Sequence, residues 1–169
     1  MRIRPETSDD AAAIDALNRN AFGGPYEAGL VERLRGQGLA AVSLVGVEEA
    51  AIVGHILFSE LAVEIDGRPV RAAALAPMCV RGDCQRRGLG SALVRAGLDE
   101  VRALGHHAVI VVGHPEFYPR FGFSSRLAAR LDSPFPGDAF MALELVAGAL
   151  RGTRGKVTYP AAFGISPES

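Results

Sequence analysis

The junction at residues 80–91 constrains this chain more than any other stretch. An extended run, Val70 to Val80, passes into Arg81-Gly82-Asp83-Cys84-Gln85-Arg86-Arg87-Gly88-Leu89-Gly90, and an amphipathic segment, Ser91 to Leu104, follows at once. Leu89, Leu93, Ala96, Gly97, Val101 and Leu104 recur on one helical face and Arg95, Asp99 and Arg102 on the other, which predicts a helix that Gly105 stops. A helix start leaves backbone N–H groups without partners and carries the positive end of the helix dipole. Glycines at 88 and 90 let a bulky anion approach the main chain. The junction therefore reads as a cradle for a pyrophosphate, with Arg86 and Arg87 adding charge at its rim. From these residues alone it is equally a glycine-rich connector that caps a helix.

Two familiar phosphate loops do not fit. A Walker loop needs Gly, four residues, then Gly-Lys-Ser/Thr, and the only lysine is Lys156. A dinucleotide fingerprint counted from Gly88 needs Gly or Ala where Leu93 stands, and the loop is too long for that tight turn.

The rest of the chain reads as alternating elements. Arg2 to Pro5 is a short opening strand. Thr7 and Ser8 offer cap oxygens before Asp9 and Asp10, and Ala11 to Phe22 has helical spacing. Gly23-Gly24-Pro25 breaks the pattern before a second helix, Tyr26 to Arg35, ended by Gly36 and Gly38. Strands follow at Ala41–Val47, Ile52–Ile65 and Val70–Val80, with Asp66-Gly67 as a hairpin turn. Pro77 cannot donate to a ladder, so the third strand is an edge or carries a bulge there. Ala108 to Val112 is apolar without alternation, as in a strand covered on both faces. A short helical turn and a strand start are expected within Gly113–Phe123, then strands at Phe140–Val146 and Lys156–Tyr159. The order predicts an α+β fold, a mixed central sheet with helices on both faces.

Length and composition narrow the class. At 169 residues the chain is expected to form one domain over residues 1–165, with residues 166–169 as a loose tail. Lys plus Arg is 18 against 19 Asp plus Glu, a net charge of −1, so no global basic field gathers nucleic acid or membrane. Two cysteines, Cys79 and Cys84, fit free thiols in a reducing compartment, and no cysteine cluster suggests a metal. No secretory pattern opens the sequence, so a cytoplasmic protein is expected.

Residues 85–90 match the Gln/Arg-x-x-Gly-x-Gly/Ala loop of the GNAT acetyltransferase superfamily. The chain resembles that family across essentially its whole length: in element order, in the run ending Pro77-Met78-Cys79-Val80, and in Phe117-Tyr118-Pro119-Arg120-Phe121-Gly122-Phe123, similar to the family's Tyr-x-x-x-Gly-Phe segment. The stretch from Met141-Ala142-Leu143-Glu144-Leu145 to Tyr159-Pro160-Ala161-Ala162-Phe163 is similar to a bacterial subgroup of small GNAT proteins.

The resemblance implies acetyl-CoA as cosubstrate, no metal, and transfer of acetyl to a primary amine on a small molecule or peptide, by direct attack in a ternary complex. It implies that the main chain of Met78, Cys79 and Val80 pairs with the pantetheine arm, an amide there polarising the thioester carbonyl. It places the pyrophosphate on the amides of Arg86, Arg87, Gly88, Leu89, Gly90 and Ser91, and assigns Gln85, Phe117 and Tyr118 to the cofactor site. Tyr118 matches the tyrosine that returns a proton to the leaving thiolate; an unperturbed phenol (pKa about 10) is a slightly weaker acid than a thiol near 8.5. Many members carry an Asn and a longer helix before that tyrosine. Here Gly113-His114-Pro115-Glu116-Phe117 stands instead, so no Asn role carries over.

For the base, two residues are candidates. Glu27 opens the second helix, either as a base or as a carboxylate settling the helix N-terminus. His114 lies near Tyr118 in sequence, as a base, a cofactor contact or a plain loop histidine. His55 reads as a satisfied strand residue, and His106 and His107 as complements to a helix dipole. A non-catalytic acyl-CoA sensor of the same fold is the alternative function. Monomer and homodimer are both compatible with the sequence.

Overall fold

A computed structural model of the chain describes residues 1–135 and 137–165; the expected tail at 166–169 lies outside the described residues. The elements are β1 (Arg2–Pro5), α1 (Ala11–Phe22), α2 (Tyr26–Gly36), β2 (Ala40–Glu48), β3 (Ala51–Ile65), β4 (Arg68–Val80), α3 (Leu89–Ala103), β5 (Ala108–Val112), α4 (Ser125–Ala128), β6 (Leu131–Asp132), β7 (Phe140–Glu144) and β8 (Gly155–Thr158). The sheet order is β1-β2-β3-β4-β5-β7, with β8 on β3 and β6 on β8. β4–β5 and β6–β8 are parallel, while β1–β2, β2–β3, β3–β8 and β5–β7 are antiparallel. The sheet is mixed and the fold α+β, as the order of elements predicts.

The chain forms two compact units. One contains Met1–Ser59 and Ala76–Val101, the other Glu60–Leu75 and residues from Arg102 onward. In the first, α3 lies against β3. Leu89, Leu93, Val94, Gly97, Leu98 and Val101 are buried, and a Cβ on Gly97 would stand 2.2 Å from Phe58 Cε2. Leu104, expected on this face, is exposed instead, because the helix stops at Ala103 and Gly105 turns the chain at φ 93°. Before α1, the Asp10 carboxylate accepts from Thr7 N at 2.7 Å and pairs with Arg4 at 2.7 Å, which holds its pKa well below the usual carboxylate range.

A buried polar chain crosses this unit. Cys79 Sγ donates to Asn18 Oδ1 at 3.6 Å. Asn18 Nδ2 donates to Ile14 O at 3.0 Å and meets His55 Nδ1 at 3.3 Å. His55 Nε2 stands 2.9 Å from Ser43 Oγ. Since Nδ1 faces an amide donor, it is the acceptor, and the ring proton sits on Nε2. Burial above all, with the Arg35 charge second, pushes the His55 pKa down to about 3.

In the second unit β5 pairs with Ala72–Leu75 of β4 and with all of β7, and Ala108–Val111 are buried throughout. The ladder on β5 stops at Leu75, so Pro77 lies past it and withholds no donor from it. Asp66 (φ 49°) and Gly67 (φ 80°) make the expected tight turn. The Asp66 carboxylate accepts from Thr153 N at 2.9 Å and Arg154 N at 3.0 Å.

One expectation needs correction. The strand start expected within Gly113–Phe123 is only a bridge, and it falls at Ser124, paired with Ala142. Gly122 at φ 99° turns the chain, and Ser124 Oγ caps α4 by accepting from Leu127 N at 3.1 Å. The His106 ring is fully buried, with Nε2 2.9 Å from Glu60 Oε1.

Candidate active site

The loop after β4 is anchored at its start and open at its end. Arg81 N donates to Val53 O at 2.7 Å, and Cys84 N to Arg81 O at 2.8 Å. Gln85 Nε2 donates to Val80 O at 3.2 Å, so this side chain closes the loop onto the last carbonyl of β4. Beyond it the chain turns left-handed twice, at Arg86 (φ 64°) and Gly88 (φ 82°), with residues 85–88 exposed. A left-handed non-glycine costs about 1–2 kcal/mol. α3 starts at Leu89, and its first backbone bond runs from Ala92 N to Gly88 O at 3.0 Å. Among the described residues the amides of 86–91 donate to no protein acceptor. That is a run of unengaged donors at the positive end of a 15-residue helix.

The strand leading in is close to its neighbour. A Cβ on Gly54 would stand 3.6 Å from Cys79 O and 2.9 Å from Leu93 Cδ1, so glycine lets β3 approach. Met78 is half-buried, while Cys79 and Val80 are buried. None of the three is a ladder partner of β5. Burial pushes the Cys79 thiol up to about 12, which leaves it no nucleophile at neutral pH.

The second unit holds the tyrosine segment. Tyr118 opens a 3-10 turn, Tyr118–Phe121, whose entry is fixed by the His114 carbonyl, accepting from Phe117 N at 3.0 Å and Tyr118 N at 3.3 Å. The buried Tyr118 ring meets Phe117 edge-on at 5.0 Å and Phe123 at 5.7 Å. Its other wall is Gly113, where a Cβ would stand 2.3 Å from Tyr118 Cε2. Burial raises the phenol to about 12, so it stays protonated.

Met78, Cys79, Val80, the 85–91 loop and Glu27 belong to one unit; His114, Phe117 and Tyr118 belong to the other. Glu27 is half-buried in the first turn of α2, and the His114 side chain is exposed. Three features escape the sequence reading: the polar chain through Asn18, Gly113 as the wall of Tyr118, and a contact of Glu48 with Arg87. A glycine at a strand end five residues before a tyrosine was a signal for the second; the others join distant positions and leave none. Among the described residues no group of three or more His, Cys, Asp or Glu is placed to hold a metal ion, and no helix is long and apolar enough to cross a membrane.

Comparison with known proteins gives a consistent result. Residues 2–126 match the model of the acetyltransferase (GNAT) domain. The chain is 36% identical over 162 residues to the uncharacterized N-acetyltransferase YhbS of Escherichia coli K12, covering 94% of this chain and 96% of that one. It is 37% identical over 116 residues to the uncharacterized N-acetyltransferase YjhQ of the same strain, covering 68% and 64%. Among solved structures, Escherichia coli YhbS in complex with CoA superposes with a TM-score of 0.88 at 35% identity, over 97% of this chain and 92% of that one. A GNAT acetyltransferase of Brucella melitensis in complex with acetyl-CoA gives 0.79 at 30% identity, over 96% and 97%. The loop, the tyrosine segment and these matches over nearly the whole length agree: the chain belongs to the GNAT acetyltransferase family.

Proposed function

We propose that this chain binds acetyl-CoA on the main chain of residues 86–91 and transfers the acetyl group to a primary amine by direct attack in a ternary complex. The observation that carries the reading is the run of unengaged amides at the start of α3, reached through two left-handed residues. A diphosphate answers both the open donors and the helix dipole. The cofactors of the similar YhbS and Brucella structures support the same choice. In this reading Met78, Cys79 and Val80 pair with the pantetheine arm by main-chain hydrogen bonds, and an amide among them polarises the thioester carbonyl.

Tyr118 serves as the general acid. A phenol at about 12 is a poor donor to a thiolate in water, near 8.5. Desolvation raises a thiol in this protein too, with Cys79 pushed up to about 12. A CoA thiolate formed away from water is shifted in the same direction, toward the phenol. Glu27 and His114 are the candidates for accepting the proton of the amine, directly or through a water.

Gly88→Glu tests the cradle. A Cβ at Gly88 meets no protein atom within 4 Å, so the new side chain starts in open space, at the strain of a left-handed φ of 82°, and carries its charge to where the diphosphate would lie. Gly88→Ala controls for the strain of a left-handed non-glycine. Calorimetric titration should show CoA binding abolished in Gly88→Glu and largely retained in Gly88→Ala. Undiminished binding in Gly88→Glu removes the cradle. Release of free CoA with a panel of amines then separates an enzyme from a sensor.

A further inference from the structure

Arg86 and Arg87 both border the loop, and they are in different states. Arg87 Nη2 donates to both oxygens of Glu48, at 2.9 and 3.1 Å, across 39 residues of sequence. The Arg86 side chain has no hydrogen-bond or ion-pair partner among the described residues. Glu48 is the last residue of β2. It pairs with Ala51, so Glu49 (φ 50°) and Ala50 (φ 64°) alone make the turn to β3. That short turn fixes where the carboxylate stands. The Glu48 side chain is 23% exposed and Arg87 51%, so the carboxylate is the better-held partner and the guanidinium the freer one.

The arrangement puts an internal anion on a cation of the loop whose amides are open. Only one terminal nitrogen of Arg87 is engaged, which leaves Nε and Nη1 for another acceptor. An exposed pair of this kind is weak and is screened by salt. A diphosphate, with more charge and more acceptor oxygens, outcompetes it. We propose that Glu48 is a built-in competitor for the anion site: its carboxylate occupies Arg87 while the loop is empty and yields it to the diphosphate of the coenzyme. The inference rests on the reading that residues 86–91 hold that diphosphate. The consequence is kinetic. Acetyl-CoA and CoA carry the same diphosphate, so a competitor that lowers affinity for both speeds the departure of the product CoA without favouring either.

Glu48→Gln separates charge from position, because glutamine can still accept from Arg87. Calorimetric titration with CoA at low and at physiological ionic strength should show Glu48→Gln binding about two- to fivefold tighter than wild type, the size expected for an exposed pair. The gain should shrink with added salt, and stopped-flow displacement should show slower CoA release. In an Arg87→Ala background, Glu48→Gln should change nothing measurable. Equal or weaker CoA binding by Glu48→Gln, or a gain that survives in Arg87→Ala, overturns the proposal while leaving the cradle standing. Wild-type protein that takes up no CoA, with Gly88→Glu indistinguishable from it, brings down the cradle itself and this inference with it.

Discussion

Tyr118 illustrates how a single side chain is placed by what its neighbours lack. Its ring is wedged between Phe117, Phe123 and the bare α-carbon of Gly113. If the phenol returns the proton to CoA, Tyr118→Phe keeps the packing and removes the acid. Turnover should fall by about 10²–10⁴-fold with little change in CoA affinity. Gly113→Ala attacks the same function from behind: the added methyl cannot coexist with Tyr118 Cε2 at 2.3 Å, so the ring shifts. Its loss of turnover should not add to that of Tyr118→Phe in the double variant. Additive losses in steady-state kinetics would separate Gly113 from the tyrosine, and full activity of Tyr118→Phe would remove Tyr118 from the mechanism. The tyrosine was legible because Phe117–Phe123 carries a local pattern. Gly113 left only a faint signal, a glycine just past a strand end, because its constraint acts through space.

Among the elements, those long enough to show a pattern were legible. α1 runs from Ala11 to Phe22, as its spacing predicts, and β5 from Ala108 to Val112, which an unbroken β-branched apolar run marks without any period. α4 and β6, at four and two residues, are too short to show one, and they form because Ser124 caps the first while β8 pairs the second. The glycines and the helix start before α3 were legible, since they are local features; the ion pair on Arg87 was not. α3 itself depends on one missing side chain. Gly97 faces Phe58 so closely that alanine must displace an aromatic ring rather than a flexible chain end. Gly97→Ala would raise helix propensity, by up to about 1 kcal/mol. Overpacking costs about 1–3 kcal/mol, so the net effect should be destabilising. A denaturant midpoint equal to or above wild type would mean that Phe58 has room to move.

At the scale of the molecule, the response to pH follows from a histidine with no part in the proposed chemistry. His55 sits inside an apolar run in sequence, and its partners Asn18 and Ser43 are remote from it, so nothing local revealed that its proton is fixed on Nε2. Its folded pKa is about 3, against about 6.5 in an unfolded chain. Below 6.5 the unfolded chain takes up a proton that the folded one refuses. Stability is therefore fully present above pH 6.5 and is lost as pH falls toward 3. At pH 5 the loss is about 2 kcal/mol, from 1.5 pH units at 1.36 kcal/mol each. Asp10, Asp66 and Asp83 also have lowered pKa values, but their contribution is lost only below about 4, where free carboxyls begin to protonate. His55 therefore lowers stability as pH falls from 6.5 to 4.5, ahead of those three aspartates. His55→Asn should be less stable at pH 7.5, because Asn18 and Ser43 lose a partner, yet its denaturant midpoint should be flatter across that interval. Parallel wild-type and variant profiles between pH 6.5 and 4.5 would show that some other group refuses the proton.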